Sequence, residues 1–353
     1  MSRALSEFLA QRTQRLDTTQ ALGECLRALV HEQLASLPPP GGGRTLERWR
    51  SLAIVAAHDL ALCKLYEGHT DALAIMAELK SSAATPGSTW GMWAAEPPQA
   101  RVMVSGTGRT VSLNGRKAWC SGATTLSHAL MTAWDNEARQ QLVAVALDQP
   151  GVTVTDEGWA AVGMAATGSV EVQFDNAQAL TIGEPGQYVS RAGFWQGGIG
   201  IAACWYGAAN SIAERLLNAC AQREEPHALA HLGAVDAALF SAGQALQNAA
   251  RAIDQAPLAD AELLARRCRA VVERTTQQVI EHVGRALGAG PYCKDAQFAR
   301  LMADLPVFVR QSHAERDLAA LGQLLACSPS NPSTAATHTQ GMPRTVSKGS
   351  WSL

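Results

Sequence analysis

Hydrophobic periodicity changes twice along this 353-residue chain, and the double change limits the fold more than any single motif. Apolar residues recur at helical spacing to about residue 79, alternate in short runs between about 88 and 180, and return to helical spacing from about 190 to 325. In the first part, Leu5, Leu9, Leu22, Leu26, Val30 and Leu34 predict a helix or helix pair, broken by PPPGGG from Pro38 to Gly43. Trp49, Ala53, Ala56 and Leu60, then Leu73 and Met76, predict two amphipathic helices over 46–79 with Gly68 as the stop between them. The runs VMVSG, TVSLNG, HALMTAW, LVAVAL and VEVQF, separated by Gly, Asn, Asp and Pro, read as antiparallel strands with tight turns, Gly106-Thr107-Gly108 among them. Helical spacing over 197–221, 228–254, 259–287 and 295–325 predicts a bundle. The expected class is a multidomain α+β protein. It has an N-terminal α-helical domain (1–87), a middle antiparallel β-barrel or sandwich domain (88–187) and a C-terminal four-helix bundle (188–327). The Ser-, Thr- and Pro-rich tail 328–353 reads as disordered, with Trp351 as a residue that could dock.

Size and charge narrow the function classes. A single core seldom grows past about 250 to 300 residues, so several packed units are expected. A formal charge of −2 with balanced signs gives no field to gather nucleic acid or an anionic membrane surface. The eight cysteines form no CxxC pair and sit mostly in apolar helical pattern, which reads as reduced thiols in a cytoplasmic protein. No apolar run approaches a membrane span, and no secretory leader pattern opens the chain. His58, Glu67 and His69 lack metal-ligand spacing, so no metal is expected; GxSxG, Walker and GxGxxG patterns are also absent.

The segment LNGRKAWCSG, from Leu113 to Gly122, carries the chemistry. On a regular strand Trp119 and Ser121, two apart, point to one face and pair an apolar wall with a hydroxyl hydrogen-bond donor, an arrangement suited to a flat heteroaromatic ligand. WGMWAAEP from Trp90 to Pro97 precedes it, and VGMAATGSVEVQFDN from Val162 to Asn176 follows. In this order the three segments resemble motifs of the middle domain of the acyl-CoA dehydrogenase flavoproteins, within a resemblance that covers roughly residues 46–322 in the family's α–β–α order.

The resemblance implies FAD, with Trp119 against the flavin ring and the Ser121 hydroxyl near its N5. The backbone of Trp93 to Ala95 would meet the pyrimidine edge, with Thr167 and Ser169 as further hydroxyl contacts. Arg223 resembles the arginine that reaches the diphosphate from a neighbouring subunit, although no Phe-Gly follows it here. Gly288 and Ala289, with Tyr292, match a turn near the adenosine half, and Arg285 stands where Gln is usual. A homodimer or homotetramer, an acyl-CoA-like substrate and an acceptor such as electron-transfer flavoprotein also follow from the resemblance.

Departures from the family decide more than the matches. Its enzymes remove an α-proton with a Glu while flavin takes the β-hydride. Aligning Leu301, Met302 and Asp304 puts Ser312 at that position, and the alternative helix position falls on Gly197. Serine is too weak a base for such a proton without activation. A shifted alignment brings Glu315 or His313 to the site, with Arg310 or Arg316 serving an anionic ligand; the competing account makes HAERD a charged helix face with intrahelical pairs. The loop after Glu96-Pro97 and the short stretch from His69 to Trp90 imply a remodelled substrate cleft. The expected activity is α,β-dehydrogenation of an acyl-CoA or related acyl substrate with hydride transfer to flavin N5. A flavin-dependent monooxygenase-like activity and a non-catalytic structural or regulatory role are the alternatives.

Overall fold

A computed structural model of the chain describes residues 2–12 and 14–327. The tail expected to be disordered, Trp351 included, lies outside the described residues. Four helices open the fold: α1 (Ser2–Ala10), α2 (Thr19–His31), α3 (Thr45–His58) and α4 (Leu60–Glu78). Thr18 caps α2 by accepting from the Ala21 amide at 3.2 Å. The PPPGGG run is fastened, because the Gly41 amide donates to Thr45 Oγ1 at 2.8 Å and the Gly43 amide to Asp254 at 3.0 Å.

Gly68 does not separate α3 from α4. The break falls at Asp59, whose extended backbone leaves α3 and whose carboxylate accepts from the Leu62 amide at 2.8 Å to start α4. An N-cap aspartate stops one helix and begins the next, whereas Gly68 lies inside α4, where a Cβ would stand 3.4 Å from the Met92 amide nitrogen. Helix and strand lie in contact at this point, at a distance a Cβ would tolerate.

Seven strands follow: β1 (Trp90–Trp93), β2 (Val102–Ser105), β3 (Thr110–Cys120), β4 (His128–Trp134), β5 (Gln140–Ala146), β6 (Val152–Val154) and β7 (Val170–Ile182). The pairings β4–β2–β3–β7–β5 close back on β4, so the middle unit is a small barrel with β1 added beside β4 and β6 beside β7. It is not wholly antiparallel, since β1–β4 and the single β2–β4 bridge are parallel. The turn at Gly106-Thr107-Gly108 joins β2 to β3 as expected from the sequence. Alternating burial along β7 places Val172, Phe174, Ala177 and Ala179 inward.

The chain then returns to helices: α5 (Gln187–Ser190), α6 (Gly193–Gln222), α7 (Pro226–Gln255), α8 (Glu262–Leu287), α9 (Ala289–Lys294), α10 (Ala296–Val309) and α11 (Glu315–Ala326). The long α6, α7 and α8 pack together, but the stretch 295–325 expected as a fourth long helix is two helices, α10 and α11. Helical hydrogen bonding tightens at the end of α10, where Arg310, Gln311 and Ser312 donate to the carbonyls three residues back, and Ala314 then takes φ +47°. One apolar core runs from Leu5 and Leu9 through Trp49, Tyr66 and Leu113 to Trp205 and Phe308, joining helices to barrel. No described helix is long and apolar enough to cross a membrane.

Candidate functional site

β3 does not end as a regular strand. Its register against β7 shifts between Lys117 and Cys120, and Trp119 takes φ +58°. The bulge, not a simple two-residue alternation, sets the directions of Trp119 and Ser121. Trp119 is 50% exposed, an unusual state for an indole flanked by buried Ala118 and Cys120. Ser121 is 7% exposed. Trp93, at the end of β1, donates from Nε1 to the Ser121 carbonyl at 3.2 Å. Ala95 lies just past the end of β1.

Ser121, Ser169 and Thr167 form a chain of hydroxyls, with Oγ–Oγ separations of 2.7 Å for Ser121–Ser169 and 2.8 Å for Thr167–Ser169. The Thr167 hydroxyl donates to the Met164 carbonyl at 2.7 Å, and a carbonyl can only accept. Ser169 therefore donates to Thr167, and Ser121 donates to Ser169. The Ser121 proton points inward, so its free face offers lone pairs; the hydroxyl expected as a donor is an acceptor here. Beneath the chain, the Met164 amide donates to Asp304 of α10 at 2.5 Å, tying the hydroxyl turn to the helix. Burial raises the Asp304 pKa, opposed by that amide and by Arg300.

A second buried polar knot aligns β1 with β3 and β4. Lys117, 0% exposed, donates to Glu96 and to the Thr132 carbonyl, both at 2.7 Å, and to Thr132 Oγ1 at 2.8 Å. Glu96 also accepts from Trp134 Nε1 at 2.9 Å and from the Thr132 hydroxyl. Burial lowers the Lys117 pKa while Glu96 holds the ammonium charged.

Across from the barrel, α4 presents Lys64, Glu67, Gly68 and Asp71 at the spacing of one helix face. Lys64 and Gly68 meet Met92, Trp93, Ser121 and Leu126 around a narrow cavity. Glu67 is buried and pairs with Lys64; burial raises its pKa and Lys64 lowers it. Nearby, the buried Arg48 donates to the carbonyls of Pro38 at 3.3 Å and Thr70 at 3.0 Å. None of these α4 groups stood out in the sequence as site residues, because their signal, charge on a helix face that also packs inward, needs the fold to be read.

Gly197 lies on α6, facing α4, and a side chain there would begin 3.2 Å from Asp71 Oδ1. Ser312 sits in the break between α10 and α11 and is buried; its hydroxyl accepts from the Ala314 amide at 3.1 Å. Arg269 of α8 joins these two neighbourhoods, donating to the Gly198 carbonyl at 2.6 Å and to the Gln311 carbonyl at 3.3 Å. His313 and Glu315 are exposed. Within the HAERD segment Asp317 accepts from the His313 amide at 3.0 Å and stands 3.7 Å from the His313 ring nitrogen, and it also binds Arg266 of α8 at 3.1 Å; α11 begins at Glu315. Arg310 pairs with Glu273 at 2.9 Å.

The residues matched to the outer parts of a dinucleotide lie at helix ends, and the resemblance has one of them, Arg223, act from a neighbouring subunit. Arg223 is exposed at the far end of α6, about 45 Å along that helix from Gly193. Arg285, paired with Glu281 at 2.7 Å, is exposed about 24 Å along α8 from Arg269, with Gly288 and Ala289 exposed just beyond it. Among the described residues no group of three or more His, Cys, Asp and Glu could hold a metal ion.

Comparison with known proteins agrees with this architecture. Residues 91–177 match the family model for the acyl-CoA dehydrogenase middle domain. No curated protein sequence matches significantly. Among solved structures, KijD3 in complex with FMN and dTDP-3-amino-2,3,6-trideoxy-4-keto-3-methyl-D-glucose is 19% identical, with a TM-score of 0.73 over 92% of this chain and 93% of that one. Methanesulfinate monooxygenase MsuC from Pseudomonas fluorescens is 20% identical, with a TM-score of 0.75 over 92% and 95%. Butyryl-CoA dehydrogenase from Megasphaera elsdenii is 14% identical, with a TM-score of 0.74 over 92% and 98%. Residues 91–177 thus match the acyl-CoA dehydrogenase middle domain, and the chain as a whole shares the fold of butyryl-CoA dehydrogenase.

Proposed function

We infer that the chain is a flavin-dependent oxidoreductase that binds FMN and works on the monooxygenase side of the fold, not as an α,β-dehydrogenase of acyl-CoA. The carrying observation is the Ser121–Ser169–Thr167 hydroxyl chain just past the end of β3, two residues along the chain from the half-exposed Trp119. These residues fit a flavin: an indole offers the flat apolar wall, and Ser121 offers a hydrogen-bond acceptor at the ring edge. When bound, the flavin supplies hydride and oxygen chemistry that no side chain can. A reduced flavin bears N5–H, a donor that the Ser121 lone pairs can accept. An oxidised ring presents only a lone pair at N5, which opposes them.

Two further observations support this reading. The two positions at which the resemblance places a proton-removing carboxylate hold Ser312 and Gly197, so this chain's residues do not equip either for abstracting an α-proton. KijD3, similar in fold, is described with FMN, and MsuC is described as a monooxygenase.

The test is a binding and bleaching pair. Reduced FMN is expected to bind roughly tenfold more tightly than oxidised FMN, the worth of one hydrogen bond made in place of a clash of lone pairs. The FMN-loaded protein, mixed anaerobically with short- and long-chain acyl-CoA thioesters, is expected to keep its flavin oxidised. Flavin bleaching by any thioester overturns the monooxygenase reading, and equal affinity for the two flavin states overturns the assigned role of Ser121.

A further inference from the structure

A groove of about 520 Å³ lies between α1 and α6, which both pack on α3. No residue of the barrel or of α4 lines it, so it is separate from the Trp119 and Ser121 region. Its volume falls in the range of small-molecule sites, roughly 300–1,000 Å³. Helix α6 lies against α3 here because residue 207 is glycine: a Cβ there would stand 2.2 Å from the Ala53 carbonyl oxygen. The two helices run side by side in the same sense. Gly200 meets Trp49 and Leu52, Gly207 meets Ala53, and Gln297 bridges the His58 carbonyl to Arg215. Arg50 and Tyr206 therefore share one end of the groove, while His58 and Glu214 share the other, about 12 Å further along each helix.

Between these ends the floor is apolar, with Leu9 from α1 and Ala53, Ile54 and Ala57 from α3. The polar groups above it have bonding capacity to spare. Among the described residues Arg50 makes no hydrogen bond or ion pair, and neither the His58 ring nor the Tyr206 hydroxyl has a partner. Burial pushes the Tyr206 pKa up, so the phenol keeps its proton and can donate. A Cβ built on Gly243 of α7 would stand 3.1 Å from the Tyr206 oxygen, and the missing side chain leaves that side of the hydroxyl open. Burial, then Arg300, lowers the His58 pKa, so its imidazole is neutral near pH 7. The exposed Glu214 accepts from the Asn210 side-chain amide at 3.0 Å, which sets a carboxylate at the His58 end. A cation and an unpartnered hydroxyl at one end of an apolar floor match an oxyanion on an apolar body.

We propose that this groove is a second ligand site, for an organic monoanion with an apolar body: the oxyanion pairs with Arg50 and accepts from Tyr206, the body lies over Ala53, Ile54 and Ala57, and Glu214 bars a second anion at the far end. The site shares no residue with the flavin reading and does not rest on it.

The probe is 4-phenylbutanoate, with 4-phenylbutan-1-ol as its uncharged counterpart and 4-(4-carboxyphenyl)butanoate as the dianion. Each is titrated by ligand-observed NMR against the full chain at neutral pH without flavin. The monoanion is expected to bind saturably, at least about fivefold more tightly than the alcohol or the dianion, as for a partly solvated charge pair. Arg50→Met, a change at an exposed position, is expected to bring monoanion and alcohol within about twofold of each other. Ala57→Trp, which fills the floor, is expected to weaken monoanion binding at least about tenfold, and Glu214→Gln to narrow the gap between the two acids at least about threefold. Absence of saturable binding to the wild type overturns the proposal, as does a preference over the alcohol that persists in Arg50→Met or wild-type affinity in Ala57→Trp. An unchanged gap in Glu214→Gln overturns the selectivity assigned to Glu214.

Discussion

Ser121 has one partner for its proton and one open face, and both follow from a carbonyl 2.7 Å from Thr167. The relay makes Ser169→Ala informative. It leaves the Ser121 proton free to turn outward and removes the donor to Thr167, so urea unfolding is expected to show a loss of about 1–3 kcal/mol. The same variant is expected to lose the preference for reduced FMN while still binding flavin; an unchanged preference would show that the relay does not orient Ser121. Lys117→Met tests the neighbouring knot, where removal of the ammonium strands Glu96, itself 20% exposed, and about 3 kcal/mol of stability should be lost. Denaturation midpoints within error of the wild type would contradict that role. At this scale the sequence already singles out Ser121, Thr167 and Ser169, which one hydroxyl chain joins, while Trp119 stands half-exposed at the bulge and does not line the cavity that Ser121 borders. The sequence does not show the bulge at Lys117–Cys120, because a period of two assumes a regular strand. Lys64 and Gly68 stay hidden for another reason: they lie on a helix that only the fold brings against the strand ends.

Helix α4 shows how an element can serve two surfaces. One side packs Leu62, Cys63 and Tyr66 into the core, and another carries Lys64 and Gly68 to the cavity that Ser121 borders. His69 belongs to the packing side. Its Nδ1 accepts from the Trp90 amide at 3.2 Å, and burial lowers its pKa from 6.5 to about 4. The unfolded chain therefore binds a proton between those two values that the folded chain refuses, and stability falls as pH drops through that window. Between pH 7 and pH 5 the loss from this residue is about 2 kcal/mol. Urea titrations at the two pH values are expected to show a smaller decline in His69→Gln than in the wild type; parallel declines would contradict burial of a neutral imidazole. Element boundaries were only partly legible. Asp59 before a long apolar run was the signal that starts α4, while Gly68, a plausible break by composition, lies inside the helix where it meets β1. The end of α10 was less legible still, since the carbonyl of Gln311 is held by Arg269 from another helix.

At the scale of the whole molecule, the two changes of hydrophobic period correspond to helices, barrel and helices in that order. Closure of the barrel through β4–β5 was not readable locally, because it depends on pairings between strands distant in sequence. The continuous core packs α4 and α6 with the barrel, since the same cluster of apolar residues joins all three. That shared packing turns a bulged strand end and a charged helix face into one candidate site. Equilibrium titration of the full chain with reduced FMN under anaerobic conditions, in wild type and Trp119→Ala, tests the central claim most directly. The account predicts one saturable site per chain in the wild type and an affinity at least about tenfold weaker once the indole wall is removed. No saturable binding to the wild type, or equal binding by a folded Trp119→Ala, would contradict it.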